Sequence, residues 1–302
     1  MASTEPLLPA DVHIGRVVLQ VADLERSLAF YRDVIGFDLQ TTSDHDNARA
    51  AILGVRGRPE HLLELREKTG VRPVPRRGLL GLYHVAVLLP GRADLGRFIV
   101  HAANTGARFA AADHLFSEAL YLTDPDGLQV EVYCDRPKSA WQYRNGELVG
   151  DTLPLDFSPL VSAAEGTSCD GLPPGTTIGH VHFYVGDLTA ARTFYVDGLG
   201  FAPTITSFPG ALFVSAGGYH HHVGLNTWAS GAPIATDGDA RLVEWELVVD
   251  DRATLDAVVE RLRSAGIVVA DDAGAVTAHD PWRIAVRVTT DERSARSGDA
   301  RC

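Results

Sequence analysis

The stretch Asp23–Phe37, DLERSLAFYRDVIGF, returns as Asp187–Phe201, DLTAARTFYVDGLGF, with Asp-Leu, Phe-Tyr and Gly-Phe at the same internal spacing. The offset is constant (187 − 23 = 164), which marks a repeat of structure. Leu24, Leu28, Tyr31 and Ile35 fall on one face at helical spacing. Asp23 and Asp187 stand where an N-cap belongs, and Gly36 and Gly200 where a glycine ends a helix. A β-like run precedes each helix, Arg16–Val21 and His180–Val185.

A second pair of segments repeats more weakly. Leu82–Leu89 reads as a strand followed by a helix near Asp94–Asn104 that ends at Gly106. Val243–Val249 is the matching strand, with a helix from about Thr254 to Gly266; the offset is again constant (244 − 84 = 160; 266 − 106 = 160). The chain therefore reads A-B-A′-B′, four units of strand, helix and three short strands. An N-terminal pair spans 11–137 and a C-terminal pair 177–290. Between them 138–176, rich in proline, glycine and small polar residues, reads as a linker, and 291–302 as a polar, frayed tail. Lys68–Gly78, with Pro73 and Pro75, joins the first two units.

Composition narrows the function classes. The 302 residues suit two domains and a sizeable core, with 45% hydrophobic and 22% charged residues. A net charge of −12 argues against a phosphate-backbone partner, so no nucleic acid is expected. Three cysteines (Cys134, Cys169, Cys302), none in a CxxC pair, indicate neither a disulfide framework nor a zinc ribbon. Met1–Pro9 lacks the pattern of a signal peptide, and no apolar run reaches the roughly 18–20 residues of a membrane span. A cytoplasmic protein without a membrane partner is expected.

Period-two alternation picks out the chemistry-bearing side chains. His84 shares a face with Ala86 and Leu88, and His180 with His182. After the turn Thr123–Gly127, the strand Leu128–Tyr133 turns Gln129, Glu131 and Tyr133 one way and Leu128, Val130 and Val132 the other. A carboxylate so placed either faces water or points at something specific. The run His220-His221-His222 reads as part of a strand from Gly217 to Leu225, so His220 and His222 should face together.

The signature DLxxxxxFYxxxxGF, with DPDG ahead of a Glu-bearing strand, resembles the vicinal-oxygen-chelate superfamily of glyoxalases, antibiotic-resistance proteins and extradiol dioxygenases. The strings GLYHVAVLLP, DHLFSEALYLTDPDG, EVYCDRP and GGYHHHVGLNTW are similar to its bacterial catechol 2,3-dioxygenase branch, and the resemblance spans roughly residues 11–290. It implies an α+β fold in which four βαβββ modules form two half-open mixed-sheet barrels. Metal ligands in this superfamily come from the first and last strands of two paired units. Those positions hold Arg16 and Glu64 in the first unit, His84 and Glu131 in the second, His180 and a site near His222–Gly224 in the third, and Glu244 and Arg287 in the fourth. A guanidinium cannot ligate a cation. The resemblance thus implies a His84, Glu131, His180 set suited to Fe(II), or to Mn(II), which the same ligands serve.

It implies further groups. Tyr121 lies ten residues before Glu131 (131 − 121 = 10), His114 lies ahead of that tyrosine, and His222, with His220 as alternative, stands where an acid–base histidine is expected. The expected activity is extradiol cleavage of catechol or a substituted catechol by O2, giving a hydroxymuconic semialdehyde. The alternatives are a glyoxalase-like isomerase or lyase, and an inactive small-molecule-binding relative. Trp228, Phe208 and Trp141 are candidate pocket walls. Arg at unit one and at unit four suggests that the second unit pairs with the third, or that a site is shared across a dimer. Open sheet edges allow a homo-oligomer.

Overall fold

The computed structural model describes residues 8–45, 48–164, 170–272 and 274–290. The expectations for Met1–Leu7, for Cys169 and for the tail 291–302 lie outside these.

Each of the four units appears where the repeat placed it. The first holds β1 (His13–Val21), α1 (Leu24–Ala29), β2 (Asp38–His45), β3 (Ala48–Gly54) and β4 (His61–Glu67). The second holds β5 (Gly81–Leu89), α2 (Arg92–Asn104), β6 (Ala110–Asp113), β7 (Ser117–Thr123) and β8 (Gln129–Asp135). A connecting segment carries the short strands β9 (Tyr143–Arg144) and β10 (Glu147–Leu148) and helix α3 (Ser158–Ala163). The third unit holds β11 (Thr177–Tyr184), α4 (Leu188–Arg192), β12 (Ala202–Ile205), β13 (Ala211–Ser215) and β14 (Val223–Asn226). The fourth holds β15 (Arg241–Val249), α5 (Arg252–Ser264), β16 (Val269–Asp272), β17 (Ala275–His279) and β18 (Ala285–Thr290).

Strand pairing crosses the two halves of the chain. One eight-stranded mixed sheet runs β16-β17-β18-β15-β1-β4-β3-β2, from the fourth and first units. The other runs β12-β13-β14-β11-β5-β8-β7-β6, from the third and second. Its centre is the antiparallel pair β5 and β11, with His84 opposite His182 and Ala86 opposite His180. The residue ranges 11–137 and 177–290 are thus halves of the sequence, and each sheet takes one unit from each. Trp245 on β15 and Phe183 on β11, both fully buried, meet in the core between the sheets (centroids 6.3 Å apart).

Asp23 and Asp187 cap their helices as their positions imply, accepting the backbone N–H of Arg26 and Ala190. Both helices then widen into a π-turn, Phe30–Ile35 and Thr193–Gly198, a feature the spacing did not indicate. Left-handed Gly36 (φ 99°) and Gly200 (φ 95°) follow these turns. Each π-turn carries a buried tyrosine whose hydroxyl donates to an aspartate in the following unit: Tyr31 to Asp124 (3.2 Å) and Tyr195 to Asp280 (3.0 Å). The other oxygen of each aspartate accepts two backbone N–H groups, those of Asp126 and Leu128 or of Trp282 and Ile284.

Burial pushes Asp280 up to about 7 from 3.8, against the hydrogen bonds it accepts. Between about pH 4 and 7 the folded chain therefore holds a proton that the unfolded chain has released, so this group's contribution is present at low pH and lost as pH rises through that window. Asp280→Asn is expected to unfold in urea at higher concentration than the parent at about pH 8, by on the order of 1–3 kcal/mol, with the advantage gone by about pH 4. Equal stability of the two proteins at both pH values would contradict this reading.

Candidate metal centre and cavity

Three side chains from the central strands of the inner sheet converge. His84 on β5, Glu131 on β8 and His180 on β11 are each 2–3% exposed. His84 Nε2 lies 2.9 Å from Glu131 Oε2, His180 Nε2 lies 3.1 Å from the same oxygen, and the two imidazole nitrogens are 3.3 Å apart. The parallel register of β5 with β8 and the antiparallel register of β5 with β11 put these side chains on one face. Burial alone would push Glu131 up, but the imidazoles of His180 and His84 hold it well below the usual carboxylate range. Burial lowers His180 to about 4, against the pull of the Glu131 carboxylate. Among the described residues, this is the one group of three histidine, cysteine or acidic side chains whose donor atoms all lie within 4.8 Å of one another.

Two imidazoles and one carboxylate turned onto a single point fit a divalent cation. The equivalent strand positions of the outer sheet hold an ion-pair network instead. Arg16 bonds Glu64 (2.6 Å) and Glu246 (3.0 Å), Arg66 also reaches Glu64, and Arg287 pairs with Asp272.

The triad lies at the wall of a cavity of about 360 Å3. Tyr121 and His114 line it as a coupled pair. His114 Nδ1 donates to the carbonyl of Asp151 (2.7 Å), which leaves Nε2 to accept the Tyr121 hydroxyl (2.7 Å). Burial and the Glu131 carboxylate raise Tyr121 well above its usual range, so its proton stays in place. Phe208, Phe213, Trp228 and Ile205 give the cavity apolar walls. Two of the three candidate wall residues are therefore there; Trp141 packs instead against Tyr219 and His220.

The histidine run departs from the expected strand. Gly217 (φ 59°) and Gly218 (φ 66°) turn the chain, and β14 begins only at Val223, so alternation does not extend back to His220. His222 is consequently turned away from the cavity. Its Nδ1 accepts the N–H of Ala216 (3.2 Å) and lies 2.9 Å from Ser215 Oγ, and its ring stacks on Phe201. Burial, reinforced by His220 and His180, lowers it to about 3. His220 is also outside the cavity lining, fully buried between Phe116 and Tyr219. The histidine that faces the cavity is His221, with its ring 4.1 Å from that of His180.

His182 is a second cavity histidine that stood outside the expected set. Its shared face with His180 was the available signal. Asn226 Oδ1 accepts the N–H of Trp228, which turns the amide nitrogen toward His182 Nε2 (2.9 Å) and leaves the proton of that ring on Nδ1. The ring rests on Gly224, where an added Cβ would lie 2.7 Å from it. The connecting segment is more than a spacer. Leu153 pairs with Asp113 at the edge of β6, and Gly150, Asp151 and Thr152 border the cavity.

Comparison with known proteins matches this architecture. The model of the Glyoxalase/Bleomycin resistance protein/Dioxygenase superfamily matches residues 13–132 and 177–282. The chain is 41% identical over 275 residues to Catechol-2,3-dioxygenase of Bacillus subtilis (strain 168), covering 90% of this chain and 94% of that protein. A solved structure of a presumed dioxygenase from Bacillus subtilis subsp. subtilis str. 168 superposes with a TM-score of 0.65 at 14% identity, over 92% of this chain and 85% of that one. Glyoxalase I from Zea mays superposes with a TM-score of 0.57 at 16% identity, over 95% of each chain. Among the described residues, no helix is long and apolar enough to cross a membrane.

Proposed function

Because the chain belongs to the Glyoxalase/Bleomycin resistance protein/Dioxygenase superfamily, we propose that it is an extradiol ring-cleaving dioxygenase. It takes catechol or a substituted catechol with O2 to a hydroxymuconic semialdehyde. The observation that carries this reading is the buried His84–Glu131–His180 cluster, with donor atoms 2.9–3.3 Å apart, at the wall of an aromatic cavity. His84, Glu131 and His180 would hold a divalent metal, Fe(II) or Mn(II), which would supply Lewis-acid activation of the diol and of O2.

The chain's own groups do the rest. The aromatic walls hold the ring flat and exclude water, and about 360 Å3 lies at the small end of the roughly 300–1,000 Å3 typical of small-molecule sites. His221 takes a phenolic proton and returns it during ring opening, the part the family resemblance had offered to His222, with His220 as alternative. Tyr121, its proton held by His114 Nε2, offers its oxygen as an acceptor to a substrate hydroxyl. The amide-oriented His182 carries its N–H donor on Nδ1.

Oxygen consumption with catechol after anaerobic loading with Fe(II), beside a metal-free control, tests the proposal. Uptake with a yellow product is expected only in the loaded protein. Stoichiometric metal without oxygen uptake on any catechol would overturn it in favour of an isomerase.

A further inference from the structure

His221 is tied to the protein surface by a chain of two hydrogen bonds. Its Nδ1 lies 2.8 Å from His220 Nδ1, and His220 Nε2 lies 2.9 Å from Asp135 Oδ1. Asp135 ends β8, the strand that carries Glu131, and its side chain is 26% exposed. His220 is clamped on every side. Phe116 stacks on its ring (4.6 Å, 23°), Tyr219 lies over it at 4.0 Å, and Trp141 closes the edge at 5.7 Å. Thr204 Oγ1 donates to its carbonyl (2.6 Å). Tyr219 is itself held by Tyr133 through their hydroxyls (2.7 Å). A ring packed this way has one orientation, so what it passes to His221 is fixed by what Asp135 does at its other nitrogen.

A carboxylate only accepts, so the Asp135 contact requires a proton on His220 Nε2. With one proton on each ring, His220 Nδ1 then offers a lone pair, and the 2.8 Å contact requires the proton of His221 to sit on Nδ1. The nitrogen left to the cavity is His221 Nε2, unprotonated. We infer that Asp135 and His220 are positioning residues that lock His221 in the Nδ1–H tautomer, with its basic nitrogen toward the substrate. This rests on the dioxygenase reading for its consequence in turnover, but not for the tautomer itself. Neither residue touches the cavity: their effect passes through His221. The arrangement needs the left-handed glycine pair Gly217 and Gly218 ahead of the run, which lets three successive histidines take three different directions.

Two measurements test it. In full-length protein loaded with diamagnetic Zn(II) and labelled with 15N on its 12 histidines, ring correlation spectra report which nitrogen carries each proton. The His221 signals are assigned by their loss in His221→Asn. His221 is expected as the Nδ1–H form in the parent, and as a mixture or the Nε2–H form in Asp135→Ala. In the Fe(II) enzyme, Asp135→Ala is expected to lower kcat about 10–100-fold, with KM for catechol and metal content unchanged. Asp135→Asn keeps an acceptor oxygen for His220 and is expected to restore most of the loss. The inference is overturned by a proton on His221 Nε2 in the parent, or by parental kcat in Asp135→Ala. It is equally overturned by equal losses of metal and activity in the Ala and Asn variants, which would mark a merely structural residue. An Nδ1–H His221 in a protein that consumes no oxygen would remove the dioxygenase reading and leave the tautomer lock standing.

Discussion

Glu131→Ala is expected to stay folded while losing its metal, with turnover at least about a thousandfold lower, or about 4 kcal/mol in the barrier. Glu131 is the only carboxylate in the triad, and the two imidazoles left behind are neutral donors with no charge to offset that of a divalent cation. The fold should not depend on it. Its partners are His84 and His180, and a carboxylate kept ionised in a site where burial opposes ionisation serves binding at the expense of stability. Glu244→Ala provides the control, since Glu244 sits at a first-strand position of the outer sheet equivalent to that of His84 and should leave metal content intact. Metal analysis, circular dichroism and an oxygen electrode decide the matter together. Full metal content in Glu131→Ala would sink the assignment of the triad.

The pair His221→Ala and His222→Ala separates chemistry from packing in two adjacent residues. His221→Ala should keep its metal and its unfolding midpoint while kcat falls by about 10²–10⁴-fold, the usual worth of a positioned general base. His222→Ala leaves the N–H of Ala216 without its imidazole acceptor and removes the ring stacked on Phe201. A destabilisation of about 1–3 kcal/mol is expected from the unpaired donor, with activity per folded molecule close to that of the parent. The reverse pattern, with activity lost at His222 and stability lost at His221, would return the role to the residue that the family resemblance had favoured.

Where the sequence was legible, local chemistry and register agreed. Alternation in β5 and β8 was enough to put His84 and Glu131 on defined strand faces, because a strand with one apolar face has a single register, while their choice as ligands came from the family resemblance. The pairing of the second unit with the third was readable once the family resemblance supplied the ligand positions, because arginine cannot replace a ligand at Arg16 or Arg287. The histidine run was misread because Gly217 and Gly218 hold the chain in a turn, and period-two reasoning applies only inside a strand. His182 was visible but unranked, since its role depends on the amide of Asn226 and the bare backbone of Gly224, both brought to it by β14. The connecting segment's share in the cavity was not readable at all. It arises from a two-residue bridge to the edge of β6 that carries no compositional signal.

The nesting of one pair of units inside the other sets a timetable for synthesis. Strand β5 meets β11 after the rest of its own unit and the connecting segment, but β1 pairs with β15 through contacts such as His13 with Val248. Strand β1 must therefore wait for some 235 further residues (248 − 13) before its second edge is covered. At roughly 5–20 residues per second this is an interval of about 12–47 s. During that time the first unit exposes a strand edge, His13 to Val21, whose last five residues are all buried in the final fold. The inner sheet, which carries the metal triad, has all of its strands tens of residues earlier. The catalytic layer of this molecule is thus complete in the nascent chain while its outer layer is still open, and it is the outer layer that stands to gain from a chaperone.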